Sequence, residues 1–118
     1  MLTELRASGY AVQSEFTGTE GFPNAYVLGP DGLRIELQED KTLSAKAIPN
    51  HIHFWSAEFV TLLDWYVDTF SLTRRTRGKI TTTADAGTVN LSFQTSKEPV
   101  VPTKGRVIDH IGFEVKDR

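Results

Sequence analysis

The chain has 118 residues, of which 39% are hydrophobic and 24% charged, and its formal net charge at pH 7 is −2. These values are typical of one soluble globular domain and favour neither nucleic acid nor an acidic membrane surface as a partner. The absence of cysteine excludes disulfides and thiolate metal ligands, and no run is apolar enough to predict a membrane span. The first residues lack the pattern of a signal peptide, so a cytoplasmic location is expected.

The N-terminal third predicts a helix and three strands. Residues Leu2–Ala7 are typical of a short helix that ends at Ser8-Gly9, and "YAVQSEF" alternates like a strand. The stretch "NAYVLGPDGLRIELQED" predicts a hairpin with its turn at Gly29–Gly32. In the second strand of this hairpin, alternate side chains point to opposite faces: Leu33, Ile35 and Leu37 to one, Arg34, Glu36 and Gln38 to the other.

The middle of the chain follows a linker, "DKTLSAKAIPN". "HIHFWS" predicts a strand, and a helix is predicted over Ala57–Phe70, because apolar residues recur there at helical spacing and Ser56 is a suitable cap. Three further strands are predicted at "LTRRTRG", "KITTTAD" and "TVNLSFQTS". A second linker contains two prolines, and "VIDHIGFEV" then predicts a last strand.

Two of these strands carry the same histidine pattern. At an offset of 59 residues the identical pairs are His51 with His110, Ile52 with Ile111, and Phe54 with Phe113. A helix and three strands follow the first copy, and continuing from the end of the chain into its beginning also gives a helix and three strands. The sequence therefore predicts one supersecondary unit used twice, with the second unit opened between its first strand and its helix.

These motifs resemble those of the vicinal oxygen chelate superfamily, which includes glyoxalase I, extradiol dioxygenases and bleomycin-binding proteins. The matching stretches are "GPDGLRIELQE", "NHIHFW" with "LLDWYVDTF", and "IDHIGFEVKD". The resemblance implies an α+β fold in which paired βαβββ units form a curved, barrel-like mixed sheet. It implies a single domain over 1–118, with the helix and last three strands of one unit at 1–40, a complete unit at 50–96, and the first strand of the other unit at 107–118.

The resemblance also implies three metal ligands: Glu36, His51 and His110. Strand alternation agrees, because each of these side chains leaves its strand opposite the apolar layer. Two imidazoles and a carboxylate form the ligand set of non-haem iron sites, and iron(II), manganese, nickel or zinc would suit it. "VNLSF" has no acidic residue, which disfavours a fourth carboxylate ligand. The alternative is that the histidines are ordinary surface or core residues and that Glu36 is a solvated carboxylate.

Other residues are candidates for the surroundings of the metal. His53 shares the face of His51 and is a candidate acid–base catalyst, or else a polar residue lining a wet pocket. The candidates for the substrate pocket are Trp55, Asn90, Ser92 and Gly112, with core packing as the alternative for Trp55. A basic cluster is interpreted as an exposed strand face or as an attraction for an anionic substrate; its members are Arg74, Arg75, Arg77 and Lys79.

The function that the resemblance implies is that of a metal-dependent small-molecule enzyme, dioxygenase-like or glyoxalase-like, which chelates adjacent substrate oxygens. Two alternatives stay open: a metal-free protein that binds a drug or metabolite, and an inactive fragment that needs a second chain. The order of the two units also predicts a homodimer, formed by exchange of a strand or a unit between copies.

Overall fold

The computed structural model describes residues 1–117, which form two helices and seven strands. In chain order the elements are α1 (Leu2–Ala7), β1 (Val12–Thr17), β2 (Pro23–Leu28), β3 (Arg34–Gln38), β4 (His51–Trp55), α2 (Phe59–Phe70), β5 (Thr73–Arg77), β6 (Ile80–Ala86) and β7 (Val89–Gln94). The predicted α+β class is confirmed, and so are both helices and the seven strands that precede the second linker. Within the described part of the chain, no helix is long and apolar enough to cross a membrane.

The first three strands form an antiparallel sheet in the order β1-β2-β3. The turn between β2 and β3 closes where the Gly29 N–H donates to the Leu33 carbonyl over 2.8 Å, and Gly32 has a φ of +79°, which favours glycine. The six residues of α1 cover only part of one face of this sheet. Tyr10 and Ile35, beside an apolar groove at α1, each remain 38% exposed.

The other four strands form a sheet in the order β4-β7-β6-β5, in which β4 and β7 are parallel and the other pairs antiparallel. The helix α2 packs on one face, where Leu63, Leu91 and Phe93 are at most 1% exposed. This helix begins at Phe59, two residues later than predicted. The Ser56 hydroxyl accepts from the Glu58 N–H at 3.1 Å in the turn that precedes the helix.

The described residues form two separate sheets of three and four strands, so the predicted curved, barrel-like mixed sheet is not formed as one sheet, and no closed barrel is present among these residues. The last strand, predicted over 107–118, is not formed within 107–117, and position 118 lies outside the described residues. A strand needs a neighbouring edge that accepts its backbone hydrogen bonds, and an alternating pattern does not by itself supply one. This segment instead rests on α2, where the rings of Phe113 and Phe70 stack with their centroids 4.1 Å apart.

The two sheets meet at polar contacts. The loop between β1 and β2 packs against the turn between β5 and β6, where Gly78 has a φ of +53°. A Cβ on Gly78 would lie 2.3 Å from the Thr19 carbonyl oxygen, so this close approach requires glycine. Glu20 of the same loop pairs with Arg77 at the end of β5. These contacts bring polar side chains of both sheets into one pocket.

Candidate metal centre

Three side chains from the two sheets converge on one point: Glu36 from β3, and His51 and His53 from β4. The Oε2 atom of Glu36 lies 3.3 Å from His51 Nε2 and 4.0 Å from His53 Nε2. Each residue offers one ligand atom, and the three atoms all lie within 4.8 Å of one another. The structure therefore brings together two of the three ligands predicted from the sequence, with His53 beside them.

Strand alternation places the two histidines. In β4, Ile52 and Phe54 pack against the core beneath α2, as the sequence predicts. His51 and His53 consequently face the opposite side of the sheet and point toward β3. Their rings contact each other edge to face, with centroids 4.8 Å apart. One short strand thus supplies two imidazoles to the same point.

Glu36 is a carboxylate held from two directions. Its neighbours Ile35 and Leu37 line the groove at α1, so Glu36 projects from the other face of β3. Asn24 Nδ2 donates to Oε1 of Glu36 over 2.6 Å, while Oε2 faces His51. Burial alone would raise the pKa of Glu36, but the hydrogen bonds from His51 and Asn24 and the charge of His51 outweigh burial and lower the pKa to about 2. Glu36 is therefore ionised at neutral pH.

The environment of His53 favours its neutral form. Its ring stacks near Trp55, with the centroids 6.3 Å apart, and its Nδ1 is buried without a hydrogen-bond partner among the described residues. Burial, and next the positive charge of His51, lower the pKa of His53, although Glu36 acts in the opposite sense. A neutral imidazole is the form that binds metal ions.

A second group of polar residues supports His51 from behind. The Nδ1 atom of His51 lies 2.6 Å from Asn50 Oδ1, which also lies 3.2 Å from Nη2 of Arg77. Arg77 is 5% exposed, and its Nε and Nη2 donate to Glu20 Oε2 over 3.1 Å and 2.8 Å. The interpretation of the basic cluster as an exposed strand face is therefore wrong for Arg77.

Sequence reasoning missed this supporting group. Asn50 directly precedes the candidate ligand His51 in the sequence, and this adjacency is the one signal that could have indicated its supporting role. Glu20 lies in the β1–β2 loop and Arg77 at the end of β5 in the other sheet, and no local pattern links them. Their pairing depends on how the β1–β2 loop packs on the other sheet.

The cluster opens into a cavity of about 220 Å³ between the sheets. Three aromatic side chains contribute to its wall, Phe16, Tyr26 and Trp55, and the first two have ring centroids 4.9 Å apart. Asn24 and Gln38 add polar groups beside the cluster. The cavity is smaller than the several hundred cubic ångströms typical of sites for drug-sized ligands, so it suits a small metabolite.

His110 is not brought to the cluster. Its side chain is 82% exposed, and its Nδ1 lies 3.0 Å from Asp109 Oδ1 in the irregular C-terminal segment. Gly112 lies in the same segment and does not contribute to the cavity wall. The assignment of His110 as a ligand stays a prediction that requires a second arrangement of this segment.

The other predicted pocket residues differ in position. Trp55 lines the cavity and is 54% exposed, so it does not pack in the core. Asn90 and Ser92 are buried in β7 rather than in the cavity wall. Ser92 donates to Asn90 Oδ1 at 2.9 Å, and Asn90 Nδ2 donates to Asp85 at 2.8 Å, so these groups satisfy one another within the sheet.

The donor set and its spacing fit a first-row divalent ion. Nitrogen and oxygen ligands lie about 2.0–2.2 Å from such an ion, so neighbouring ligand atoms in tetrahedral geometry are roughly 3–3.5 Å apart. The separation of 3.3 Å from Glu36 to His51 matches this range, and the 4.0 Å from Glu36 to His53 requires a shift of about half an ångström when an ion binds. Comparisons with protein-family models, with curated proteins and with solved structures found no match.

Proposed function

We propose that the protein is a metal-dependent small-molecule enzyme of the vicinal oxygen chelate type, whose metal is held by Glu36, His51 and His53. The observation that carries this proposal is the position of Glu36 Oε2, 3.3 Å from Nε2 of one histidine and 4.0 Å from Nε2 of the other. Strand alternation explains why His51 and His53 share one face of β4, but it does not explain why Glu36 of the other sheet lies beside them. The convergence of ligand atoms from both sheets therefore supports a shared site. This set replaces His110 of the sequence-based assignment with His53.

The charges of the three ligands support the proposal. Glu36 is ionised over the whole neutral range because its pKa is lowered to about 2. The lowered pKa of His53 keeps this ring neutral and able to donate a lone pair. Two imidazoles and one carboxylate suit iron(II), manganese, nickel or zinc and leave coordination positions open. A divalent ion held there would act as a Lewis acid toward adjacent oxygens of a substrate.

The residues of the cavity would position the substrate. Phe16, Tyr26 and Trp55 provide flat apolar surfaces beside the three ligands, which suits a planar compound. Asn24 and Gln38 are neutral hydrogen-bonding groups on the same wall and would orient polar substituents. With His53 engaged as a ligand, an acid–base role for it stays a prediction from the sequence.

Metal loading tests the proposal. Protein purified without chelator and reconstituted separately with iron(II), manganese, nickel and zinc is expected to retain about one ion per chain with at least one of these metals. Glu36→Gln should lose the ion, because an amide replaces the charged ligand. Glu39→Gln is the matched control, since Glu39 is an exposed carboxylate beside the end of β3. Failure of all four metals to bind would overturn the proposal.

A metal-free binding protein is the second candidate, and the aromatic wall of the cavity favours it. Catechol, a small planar compound with adjacent oxygens, is a suitable probe, and its binding can be followed by quenching of Trp55 fluorescence, with Trp55→Phe as the control. The enzyme proposal expects chelation to weaken catechol binding. The binding-protein alternative expects the same affinity before and after chelation.

We also propose that two copies of the chain associate by exchange of the C-terminal segment, residues 107–115. The support is structural: among residues 1–117, β3 pairs with β2 alone, and an apolar groove lies between α1 and the first sheet. The segment itself exposes Val107, Ile108 and Val115. Light scattering on the full chain should give the mass of a dimer, and a monomer at micromolar concentration would contradict this assembly.

A further inference from the structure

We infer that Asn50 is a positioning residue, which holds the proton of the His51 ring on Nδ1 and leaves the Nε2 lone pair directed at the metal position. Arg77 and Glu20 fix the Asn50 side chain in the orientation that this requires. The inference concerns the metal-free protein, and only its consequence for ion binding rests on the proposed function.

Contacts that do not involve Asn50 hold the Arg77 guanidinium in place. It is buried at the end of β5 and donates through Nε and Nη2 to Glu20 Oε2. The backbone beside it packs closely on the β1–β2 loop, since a Cβ on Gly78 would lie 2.3 Å from the Thr19 carbonyl oxygen. The direction of the Nη2 donor toward Asn50 is therefore set by the packing of the two sheets.

Arg77 determines which end of the Asn50 amide faces it. A guanidinium has only donors, so the Asn50 atom 3.2 Å from Arg77 Nη2 must be an acceptor, which is the oxygen Oδ1. The reverse orientation would place an NH₂ group against a cationic N–H. The Asn50 backbone is also fixed, since its carbonyl oxygen accepts from the Asn90 N–H at 2.9 Å.

The same oxygen then sets the proton on His51. Oδ1 of Asn50 lies 2.6 Å from Nδ1 of His51 and carries no proton, so a favourable contact at this distance requires that Nδ1 donate. When the His51 ring is charged, both nitrogens carry protons and Nε2 donates to Glu36 Oε2, 3.3 Å away. In the neutral ring the proton stays on Nδ1, and the lone pair is consequently on Nε2. A lone pair and a carboxylate oxygen repel unless a cation lies between them. Asn50 thus prepares a contact that a metal ion completes.

Removal of the Asn50 acceptor should reverse the tautomer. Without an acceptor at Nδ1, the neutral His51 ring gains more by donating from Nε2 to the Glu36 carboxylate. A ring in that state must move its proton before Nε2 can bind an ion. Mutation of a residue that orients a metal-binding histidine typically lowers the metal affinity by about 10–100-fold. We expect the mutation of Asn50 to lower the affinity by a factor in this range.

Nitrogen-15 NMR of the metal-free protein tests this inference directly. The proton positions on both His51 nitrogens are measured for wild type, Asn50→Leu and Asn50→Asp, at a pH where the same spectra show a neutral ring. We expect the proton on Nδ1 in wild type and in Asn50→Asp, whose carboxylate can only accept, and on Nε2 in Asn50→Leu. A wild-type ring protonated on Nε2, or the same tautomer in Asn50→Leu as in wild type, would overturn the inference.

Zinc affinity measured by competition provides a second readout. Asn50→Leu should bind zinc about 10–100-fold more weakly than wild type, and Asn50→Asp should recover most of the loss. Equal affinity of wild type and Asn50→Leu would refute the effect of the tautomer on binding. If no variant binds zinc or another metal, the proposed function fails, while the NMR result on metal-free protein still decides the role of Asn50.

Discussion

The two sheets differ in how well their apolar faces are covered. The four-stranded sheet is packed by the twelve residues of α2, and Leu63, Leu91 and Phe93 are almost completely buried between them. The three-stranded sheet has only the six residues of α1, and Ile35 on that side is 38% exposed. The candidate centre takes two ligands from the well-packed sheet and one from the other. An ion bound there would therefore join a firmly packed sheet to a weakly packed one.

The largest expected effect is on the free energy of unfolding, which should respond differently to mutations in the two sheets. Leu63→Ala removes a side chain that is 1% exposed and should lower the free energy of unfolding by about 2–5 kcal/mol. Ile35→Ala, at the partly exposed face of the three-stranded sheet, should cost only about 1 kcal/mol. Urea unfolding of both variants without metal is the measurement. Equal losses would show that the two sheets are packed to the same extent.

Metal binding should reduce the difference between the sheets. An ion at about 100 times its dissociation constant stabilises the protein by roughly 2.7 kcal/mol if it binds only the folded state. Because Glu36 is the ligand from the weaker sheet, zinc should slow hydrogen exchange in β1, β2 and β3 more than in β6 and β7. Glu36→Gln should show no change with zinc, whereas Glu39→Gln should respond like wild type. Uniform protection of both sheets would argue against an ion that ties them together.

The pH dependence of the stability of the metal-free protein measures the contribution of the Glu36 carboxylate. Its pKa of about 2 in the folded chain, against an ordinary value of 4.5, favours folding wherever the carboxylate is ionised. This stabilisation is complete above pH 4.5 and is lost as the pH falls toward 2, and with screening by solvent it amounts to roughly 1–2 kcal/mol. Wild type should therefore lose about 1 kcal/mol more stability than Glu36→Gln between pH 6 and pH 3, since somewhat more than half of the full effect is lost by pH 3. Parallel curves for the two proteins would contradict the tight pairing of Glu36.

The sequence predicts the local parts of this account well. Periodicity alone indicates α2 and the strands, and alternation places Glu36 opposite Ile35, and His51 and His53 opposite Ile52. These features depend only on neighbours along the chain.

The parts that sequence reasoning missed depend on distant contacts. The pairing of Glu20 with Arg77 depends on how one loop packs on the other sheet, and the neutral His53 ring depends on burial that both sheets create. The predicted strand at 107–115 shows the same limit. Its alternation is correct for a strand, but no neighbouring edge within the described chain pairs with it.

The most direct test of the central claim compares the two candidates for the third ligand. Metal content per chain should be measured for wild type, His53→Gln and His110→Gln after loading with the metal that wild type retains best. The three-residue centre predicts about one ion per chain in wild type and in His110→Gln, because that exposed side chain lies outside the cluster, and loss of the ion in His53→Gln. Loss in His110→Gln with retention in His53→Gln would contradict it and show that the C-terminal segment supplies the ligand.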